Sequence, residues 1–203
     1  MANSISLQPL ATTNAAGSFS VQSDGYVQGV ALDDPSIRNS LAMGILASTE
    51  TLPMWGGLPI FEHIPASTSN GALGGLVGRS TSYATVNGFA VFNQAQAFVT
   101  TPQSQAPSAG AGASIPFFRM GSRARIAVPI DATLAASLAN GTTPIDQQVS
   151  WDFTLNEIIA FNTTALPVKI VGIVLSNNKV VTYDSVNNLV NWTVTGALAI
   201  IEI

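Results

Sequence analysis

The sequence predicts a mainly β fold, and three observations support that prediction. Hydrophobic residues make up 47% of the 203-residue chain and charged residues only 9%, against about 25% charged in a typical soluble domain. After Gly78 the chain is rich in β-branched and aromatic residues, which favour strands. From Leu166 onward, apolar runs alternate with Asn-Asn pairs, which suit tight turns. We therefore expect an antiparallel β-sandwich or barrel, jelly-roll-like, with one or two short helices and an extended N-terminal arm.

Residues 1–78 are expected to form this arm, a short helix and an irregular cap. Asp33 or Asp34 can act as the N-cap of the helix, and Pro35 suits its first position. Apolar residues then recur at helical spacing, namely Ile37, Leu41 and Ile45. The sequence therefore predicts a helix within residues 27–46.

The rest of the cap is predicted to be irregular. Prolines interrupt the apolar segment 52–65, and the glycine-rich segment 67–80 indicates a bend between the halves. No apolar run approaches the ~18 residues that span a bilayer. The first residues also lack the basic and continuous apolar regions of a secretory signal. We expect no membrane association.

Residues 79–203 are expected to form the main β domain. Asn87-Gly88 is typical of a hairpin turn, and residues 102–114 indicate an exposed loop. A short helix is predicted over 131–141, ending at Asn140-Gly141. Turns are predicted at 177–178 and 187–188 between the last strands. The run 168–175 is apolar on both faces, which indicates a sandwiched sheet.

Motifs for catalysis or cofactor binding are weak. Cysteine is absent, which excludes disulfides and thiolate chemistry. The glycine-rich segment fails as a phosphate loop, because Leu73 stands where a glycine is needed and Arg79 replaces the lysine. The single histidine, His63, has no triad context and is expected to be a hydrogen-bonded structural residue. We therefore expect no cofactor and no metal.

Four carboxylates lie in one third of the chain and are the remaining catalytic candidates: Asp131, Asp146, Asp152 and Glu157. Paired carboxylates hydrolyse glycosides, but sequence spacing does not decide which of them meet in a β fold. Solvated carboxylates, or ion pairs with an arginine, are the expected arrangement, and a carboxylate-based hydrolase is the alternative.

Charge is distributed unevenly along the chain. Residues 1–78 carry five acids and one arginine (−4), residues 79–130 carry four arginines and no acid (+4), and residues 131–203 carry six acids and two lysines (−4). This layout suits head-to-tail or partner contacts, or neutralisation within one fold. A sequence pI of about 4.6 disfavours nucleic-acid binding.

Three arginines, Arg119, Arg123 and Arg125, fall within one seven-residue window. In a strand, Arg123 and Arg125 share one face with Ala127, while the other face is apolar. Arginine suits interfacial carboxylates because its planar fork binds them with two hydrogen bonds. Internal pairing with acids such as Asp152 and contact with another protein both remain open.

Several phrases resemble small structural proteins of tailed bacteriophages, the head decoration or cement proteins. These phrases are "GYVQGVALDDPSIRNSLAMGILASTETLPMWGGLPIFEHIP", "VFNQAQAFVTTPQS", "GSRARIAVPID" and "VSWDFTLNEI", in that order within residues 25–160. The resemblance implies a β-rich fold, many copies in the virion, no cofactor and the major capsid protein as partner. It carries over no individual binding residue.

The sequence therefore predicts a structural, non-enzymatic protein that is made in the host cytoplasm and decorates the outside of a phage capsid. It is expected to bridge major capsid protein subunits as a homo-oligomer, without nucleic acid or a small-molecule substrate. Arg79, Arg119, Arg123 and Arg125 are expected to contact the capsid or a neighbouring copy. The alternatives are a tail or baseplate protein, or a carbohydrate-binding sandwich that uses Trp55, Trp151 or Trp192.

Overall fold

The computed structural model describes residues 12–13, 21–22, 26–32, 39–64, 75–92, 105–193 and 195–203. These residues form a mainly β fold with several sheets and a closed barrel, which confirms the predicted fold class. Within them, no helix is long and apolar enough to cross a membrane. Two short N-terminal strands, β1 (Thr12–Thr13) and β2 (Val21–Gln22), pair antiparallel.

Five strands close into a barrel. They are β3 (Leu41–Leu46), β4 (Pro59–His63), β5 (Leu76–Arg79), β6 (Gly88–Ala90) and β7 (Ser114–Arg119). Around the barrel their order is β3-β5-β4-β6-β7, with β7 pairing back onto β3. The β3–β5 pair is parallel and the other four pairs are antiparallel. The predicted boundary after residue 78 falls inside β5, so this barrel contains strands from both sides of it.

Residues 125–203 build a second sheet and a hairpin. The sheet, here called the C-terminal sheet, contains β8 (Arg125–Ile130), β9 (Val149–Asp152), β10 (Glu157–Ala160), β11 (Lys169–Val174) and β14 (Ala197–Glu202) in the order β11-β14-β8-β10-β9. The hairpin consists of β12 (Val180–Asp184) and β13 (Leu189–Thr193). One helix, α1 (Ala132–Leu138), follows β8.

The buried side chains form three clusters. The first lies between the barrel and the C-terminal sheet and includes Phe118, Ile126 and Trp151. The second fills the barrel interior and continues onto the hairpin through Trp192. A third, smaller cluster lies on the opposite face of the C-terminal sheet, where Val180 of the hairpin covers it. Both faces of β8 and β14 are therefore buried along most of their length.

Two buried amides connect these units. The Gln28 Nε2 group donates to the carbonyl oxygen of Gly56 at 3.2 Å, and its Oε1 accepts from the backbone N–H of Val181 at 2.8 Å. The Asn178 Oδ1 atom accepts from the N–H of Tyr26 at 3.0 Å, and its Nδ2 group donates to the carbonyl oxygen of Val174 at 2.7 Å. Because buried amides are costly when unpaired, these contacts fix segment 26–32 against the barrel loop, the sheet and the hairpin.

The predicted helix within 27–46 is wrong for its last six residues, because Leu41–Leu46 form strand β3. Residues 33–38, which contain the predicted cap, lie outside the described residues. The error has a simple cause. Leu41 and Ile45 are four residues apart, and this spacing places two side chains on one face of a strand as well as of a helix. Hydrogen-bonded pairing with β5 and β7 then stabilises the strand over the helix.

Two turn predictions also need correction. Asn87-Gly88 does not join two paired strands: a 3₁₀ helix (Tyr83–Thr85) precedes it, and the Asn87 Oδ1 atom accepts from the N–H of Glu62 at 2.8 Å. The glycine-rich segment is not a bend throughout, since residues 76–79 form β5 while residues 67–74 lie outside the described part of the chain.

The predictions for the C-terminal half are largely confirmed. Helix α1 begins after Asp131, whose Oδ1 atom accepts from the N–H of Leu134 at 2.8 Å. Asn177 and Asn188 adopt the positive φ angles, 62° and 52°, that tight turns require. The run 168–175 differs from prediction, because β11 is an edge strand that is only partly buried.

A candidate contact surface on the barrel

The outward face of β3 is apolar and exposed. Side chains alternate along this strand, so Ala42, Gly44 and Leu46 face the barrel interior. The other three residues are exposed to 44% (Leu41), 58% (Met43) and 43% (Ile45). Three exposed large apolar residues in a row on one strand face are unusual for a surface that meets only water.

Neighbouring strands extend this face without adding charge. Pro116 of β7 lies opposite Met43, and Ser114 lies opposite Ile45. On the other side, Leu76 of β5 lies beside Ile45. We call Leu41, Met43, Ile45, Leu76, Ser114 and Pro116 the outer barrel face. An exposed apolar strand face of this kind suits contact with another protein.

His63 lies next to this face and has no catalytic setting. Its ring packs on Phe61 with centroids 4.1 Å apart. Its Nε2 atom is buried without a hydrogen-bond partner in the described structure. Gly78 lies directly beneath these two rings, so an added Cβ atom would come within 2.7 Å of Phe61 and 2.8 Å of His63. The expected structural role is thus supported by ring packing and not by a hydrogen bond.

Arg119 is paired within the barrel. Its Nε and Nη2 groups donate to the two carboxylate oxygens of Glu62, both at 2.8 Å, and its guanidinium lies 5.5 Å from the ring centre of Phe117. The hydrogen bond to Glu62 raises the pKa of Arg119. Such a two-point pair orients the side chain across β4 and β7, although the exposed guanidinium still contributes little to stability.

Arg79 is buried at 9% exposure, so its contacts are internal. Its Cζ atom lies 4.8 Å from the ring centre of Trp55, and its Nη2 group donates to the Asn156 Oδ1 atom at 2.6 Å. Burial lowers the pKa of Arg79, and the Glu50 carboxylate partly opposes this shift. These contacts join the barrel to the turn between β9 and β10.

Arg123 and Arg125 do not share a strand. Arg123 lies in the turn before β8, with a φ of 62°, and its N–H donates to the carbonyl oxygen of Ile203 at 2.6 Å. Arg125 opens β8, and its Nε atom is 3.7 Å from a carboxylate oxygen of Glu202. Ala127, which follows on the same face, is fully buried. Arg123 and Arg125 therefore both lie at one end of β8.

Lys169 lies at the same end of the sheet, although no pattern in the sequence points to it. It lies opposite Glu202 on β14, which in turn lies opposite Arg125 on β8. Forty-four residues separate Arg125 from Lys169 along the chain, so only the strand register brings them together.

The carboxylate candidates are partly brought together. Asp152 and Glu157 are direct cross-strand partners, and the charges of Asp131 and Asp152 act on Glu157. Asp131 caps α1, and Asp152 Oδ1 accepts from the N–H groups of Thr154 and Leu155. Asp146 is exposed in the turn before β9. Among the described residues, no group of three His, Asp or Glu is arranged to hold a metal ion.

The three tryptophans proposed for sugar binding are core residues. Trp151 and Trp192 are exposed to only 2% and Trp55 to 4%. A cleft of about 420 Å³ borders Trp55, Tyr183 and Glu157, but the amides at its wall, Gln28 and Asn156, already bond within the protein. Buried rings offer no open face on which a sugar can stack.

Comparison with known proteins gives no match: no protein family, no curated protein and no solved structure is similar to this chain.

Proposed function

We propose that this protein is a structural virion component that binds the outside of a phage capsid and stabilises the shell by bridging major capsid protein subunits. The observation that carries the proposal is the outer barrel face, with its exposed Leu41, Met43 and Ile45 and no charged side chain. The resemblance of several sequence phrases to phage decoration proteins supplies the identity of the partner.

A decorating protein works through many copies. Each copy needs only modest affinity, because simultaneous engagement of several sites on a shell multiplies the binding strength. An apolar patch of a few side chains fits this requirement, since its burial contributes roughly 25 cal/mol per Å² of apolar area. A single copy then remains soluble, and strong binding arises only when several sites on the shell are engaged at once.

The alternative roles fit the described contacts less well. A carbohydrate-binding sandwich needs accessible aromatic rings, whereas the three tryptophans are buried. A carboxylate-based hydrolase needs free acids, whereas Asp131 and Asp152 accept hydrogen bonds from backbone N–H groups. A tail or baseplate role uses the same kind of surface as a capsid role, so binding experiments must separate those two.

The test is co-sedimentation of the purified protein with capsid shells that lack it. We expect saturable binding at a fixed ratio to the shell protein, and at least tenfold weaker binding for Met43→Glu. The matched control is Val186→Glu, which adds the same charge at a residue that is 90% exposed in the hairpin turn. Wild-type binding by Met43→Glu would exclude the outer barrel face as the contact.

Salt dependence separates the two candidate surfaces. Binding through the apolar face should persist at about 1 M salt, where the Debye length is about 3 Å, whereas binding through arginines should weaken. Failure to bind shells would favour the tail role.

A further inference from the structure

One face of the C-terminal sheet carries opposite charges at its two ends. Along β8, Ile126, Val128 and Ile130 pack towards the barrel, so Arg125 at the start of the strand faces the other side. The register places Glu202 and Lys169 in the same row as Arg125. We call this end of the face, with Arg125, Lys169, Glu202 and the neighbouring Arg123, the cationic end.

The opposite end of the same face is acidic. Trp151 and Ile158 pack towards the barrel, so their neighbours Asp152 and Glu157 face the same side as Arg125. Asp131 directly follows the last residue of β8. We call Asp131, Asp152 and Glu157 the acidic end. Six residues of chain separate Arg125 from Asp131, which corresponds to about 20 Å along a strand.

Arg123 is held in an unfavourable backbone conformation at the cationic end. The other non-glycine residues with positive φ in the described chain are all asparagine, the residue type that tolerates this region. A left-handed conformation is strained for an arginine, because its Cβ atom comes too close to the following carbonyl oxygen. Its side chain is exposed, and its guanidinium has no hydrogen bond or ion pair with the described residues. The fold therefore presents an unpaired cation at a position where glycine or asparagine would be more stable.

The acidic end also lacks its counter-charge. The Glu157 carboxylate accepts no hydrogen bond from the described residues, and no cation of the described chain forms an ion pair with any of the three acids. Burial, together with the charges of Asp131 and Asp152, raises the pKa of Glu157. A cation brought from outside would relieve the repulsion at this end.

We propose that copies of this protein associate head to tail, with the cationic end of one copy against the acidic end of the next. The cationic end has three cations against one carboxylate (Arg123, Arg125 and Lys169 against Glu202), and the acidic end has three carboxylates. Both halves of the interface lie on one chain, so a second copy supplies the complementary surface. Such a contact closes into a ring or continues as a chain, according to its rotation.

This inference does not rest on the proposed capsid role. The outer barrel face belongs to the barrel, whereas both charged ends belong to the C-terminal sheet. Self-association in solution is therefore measured without shells, and its failure leaves the capsid proposal standing.

The experiment is sedimentation velocity of three proteins at low salt: wild type, Arg123→Glu and Glu157→Lys. Wild type should associate. Each variant alone should be monomeric, because the substitution reverses a charge at one of the two ends that must pair. An equimolar mixture of the two variants should form a dimer, because the intact acidic end of the first fits the intact cationic end of the second. At about 1 M salt all complexes should dissociate.

Matched controls change the same charge elsewhere. Asp146→Lys adds the same charge as Glu157→Lys, and Ser185→Glu combined with Val186→Glu adds the same charge as Arg123→Glu; all three control residues are exposed. Both controls should associate like wild type. Arg123→Gln serves as the second variant if Arg123→Glu fails to fold. A monomeric wild type at low salt, or folded variants that associate like wild type, would overturn the proposal.

Discussion

Replacing Arg123 by glycine is expected to stabilise the protein while removing a cation from the surface. The φ of 62° at this residue lies in the left-handed region, where the Cβ atom of any L-residue is crowded. The N–H of Arg123 donates to the carbonyl oxygen of Ile203 at 2.6 Å, and glycine retains this hydrogen bond. The arginine side chain makes no hydrogen bond or ion pair within the described structure that glycine would lose.

Two opposing contributions set the magnitude. Relief of the left-handed conformation contributes about 1–2 kcal/mol. The greater freedom of glycine in the unfolded chain removes roughly 0.5–1 kcal/mol of this gain. The net increase in the free energy of unfolding is therefore about 0.5–1 kcal/mol, which for a chain of this size corresponds to about 1–4 °C in melting temperature.

Urea unfolding of wild type, Arg123→Gly and Arg123→Ala measures this difference. Alanine removes the same charge but keeps the Cβ atom, so Arg123→Ala should lack the gain, and the difference between the two variants isolates the backbone effect. The midpoint of unfolding should rise for glycine without a change in the slope of the transition. Equal stability of the glycine and alanine variants would refute the reasoning that Arg123 is strained.

The remaining predictions concern contacts inside the protein. Tyr83→Phe removes the hydroxyl that both donates to the carbonyl oxygen and accepts from the N–H of Trp151, each at 2.8 Å; urea unfolding should show a loss of about 1–3 kcal/mol, and an unchanged midpoint would contradict it. Gly78→Ala places a Cβ 2.7 Å from Phe61 and should cost about 1–3 kcal/mol in the same assay, whereas Gly110→Ala, whose Cβ meets no atom within 4 Å, is the control that lacks the packing clash. Glu157→Gln should increase the free energy of unfolding at pH 7 by roughly 0.2–1 kcal/mol, because it relieves a like-charge contact, and thermal unfolding should show a higher melting temperature. Because the folded-state pKa of Glu157 is raised, its ionisation destabilises the fold as pH rises through that pKa, so the gain should vanish at lower pH.

Local features of the sequence were sufficient for the helix and turns of the C-terminal half. Helix α1 depends on one short-range contact, between the Asp131 side chain and the N–H of Leu134. The turns at Asn177 and Asn188 depend on the tolerance of asparagine for positive φ. Each signal lies within four residues of the structure it specifies, and this is why sequence patterns captured them.

The barrel depends instead on long-range pairing. Strand β3 pairs with β7, about seventy residues further along the chain, and runs parallel to β5. An apolar spacing of four residues is common to a strand and a helix, so Leu41 and Ile45 alone do not distinguish them. The exposed side of β3 follows only from the barrel, and so the outer barrel face was not predicted.

The arginine window shows the same limit for the candidate site. Its three members are close in sequence but have different surroundings: Arg119 pairs with Glu62 on β4, Arg125 lies beside Glu202 on β14, and Arg123 is unpaired in a turn. The sequence indicated only that three cations lie close together along the chain. The strand register determines which of these arginines lie beside a carboxylate, and it also places Lys169 in the same row as Arg125.

An uncharged polar side chain protects one sheet edge of this protein. Edge strands invite pairing with other chains, and many proteins protect them with charged residues; this chain has few charges to use. Its barrel is closed, and the outer edge of β9 is bonded within the protein. The Tyr83 hydroxyl bonds both backbone groups of Trp151, and the N–H of Leu166 donates to the carbonyl oxygen of Val149 at 2.8 Å. The Tyr83 hydroxyl therefore helps to protect a strand edge against unwanted pairing, whereas the exposed apolar residues of β3 and the unpaired charges of the C-terminal sheet are the surfaces that suit contact with another protein.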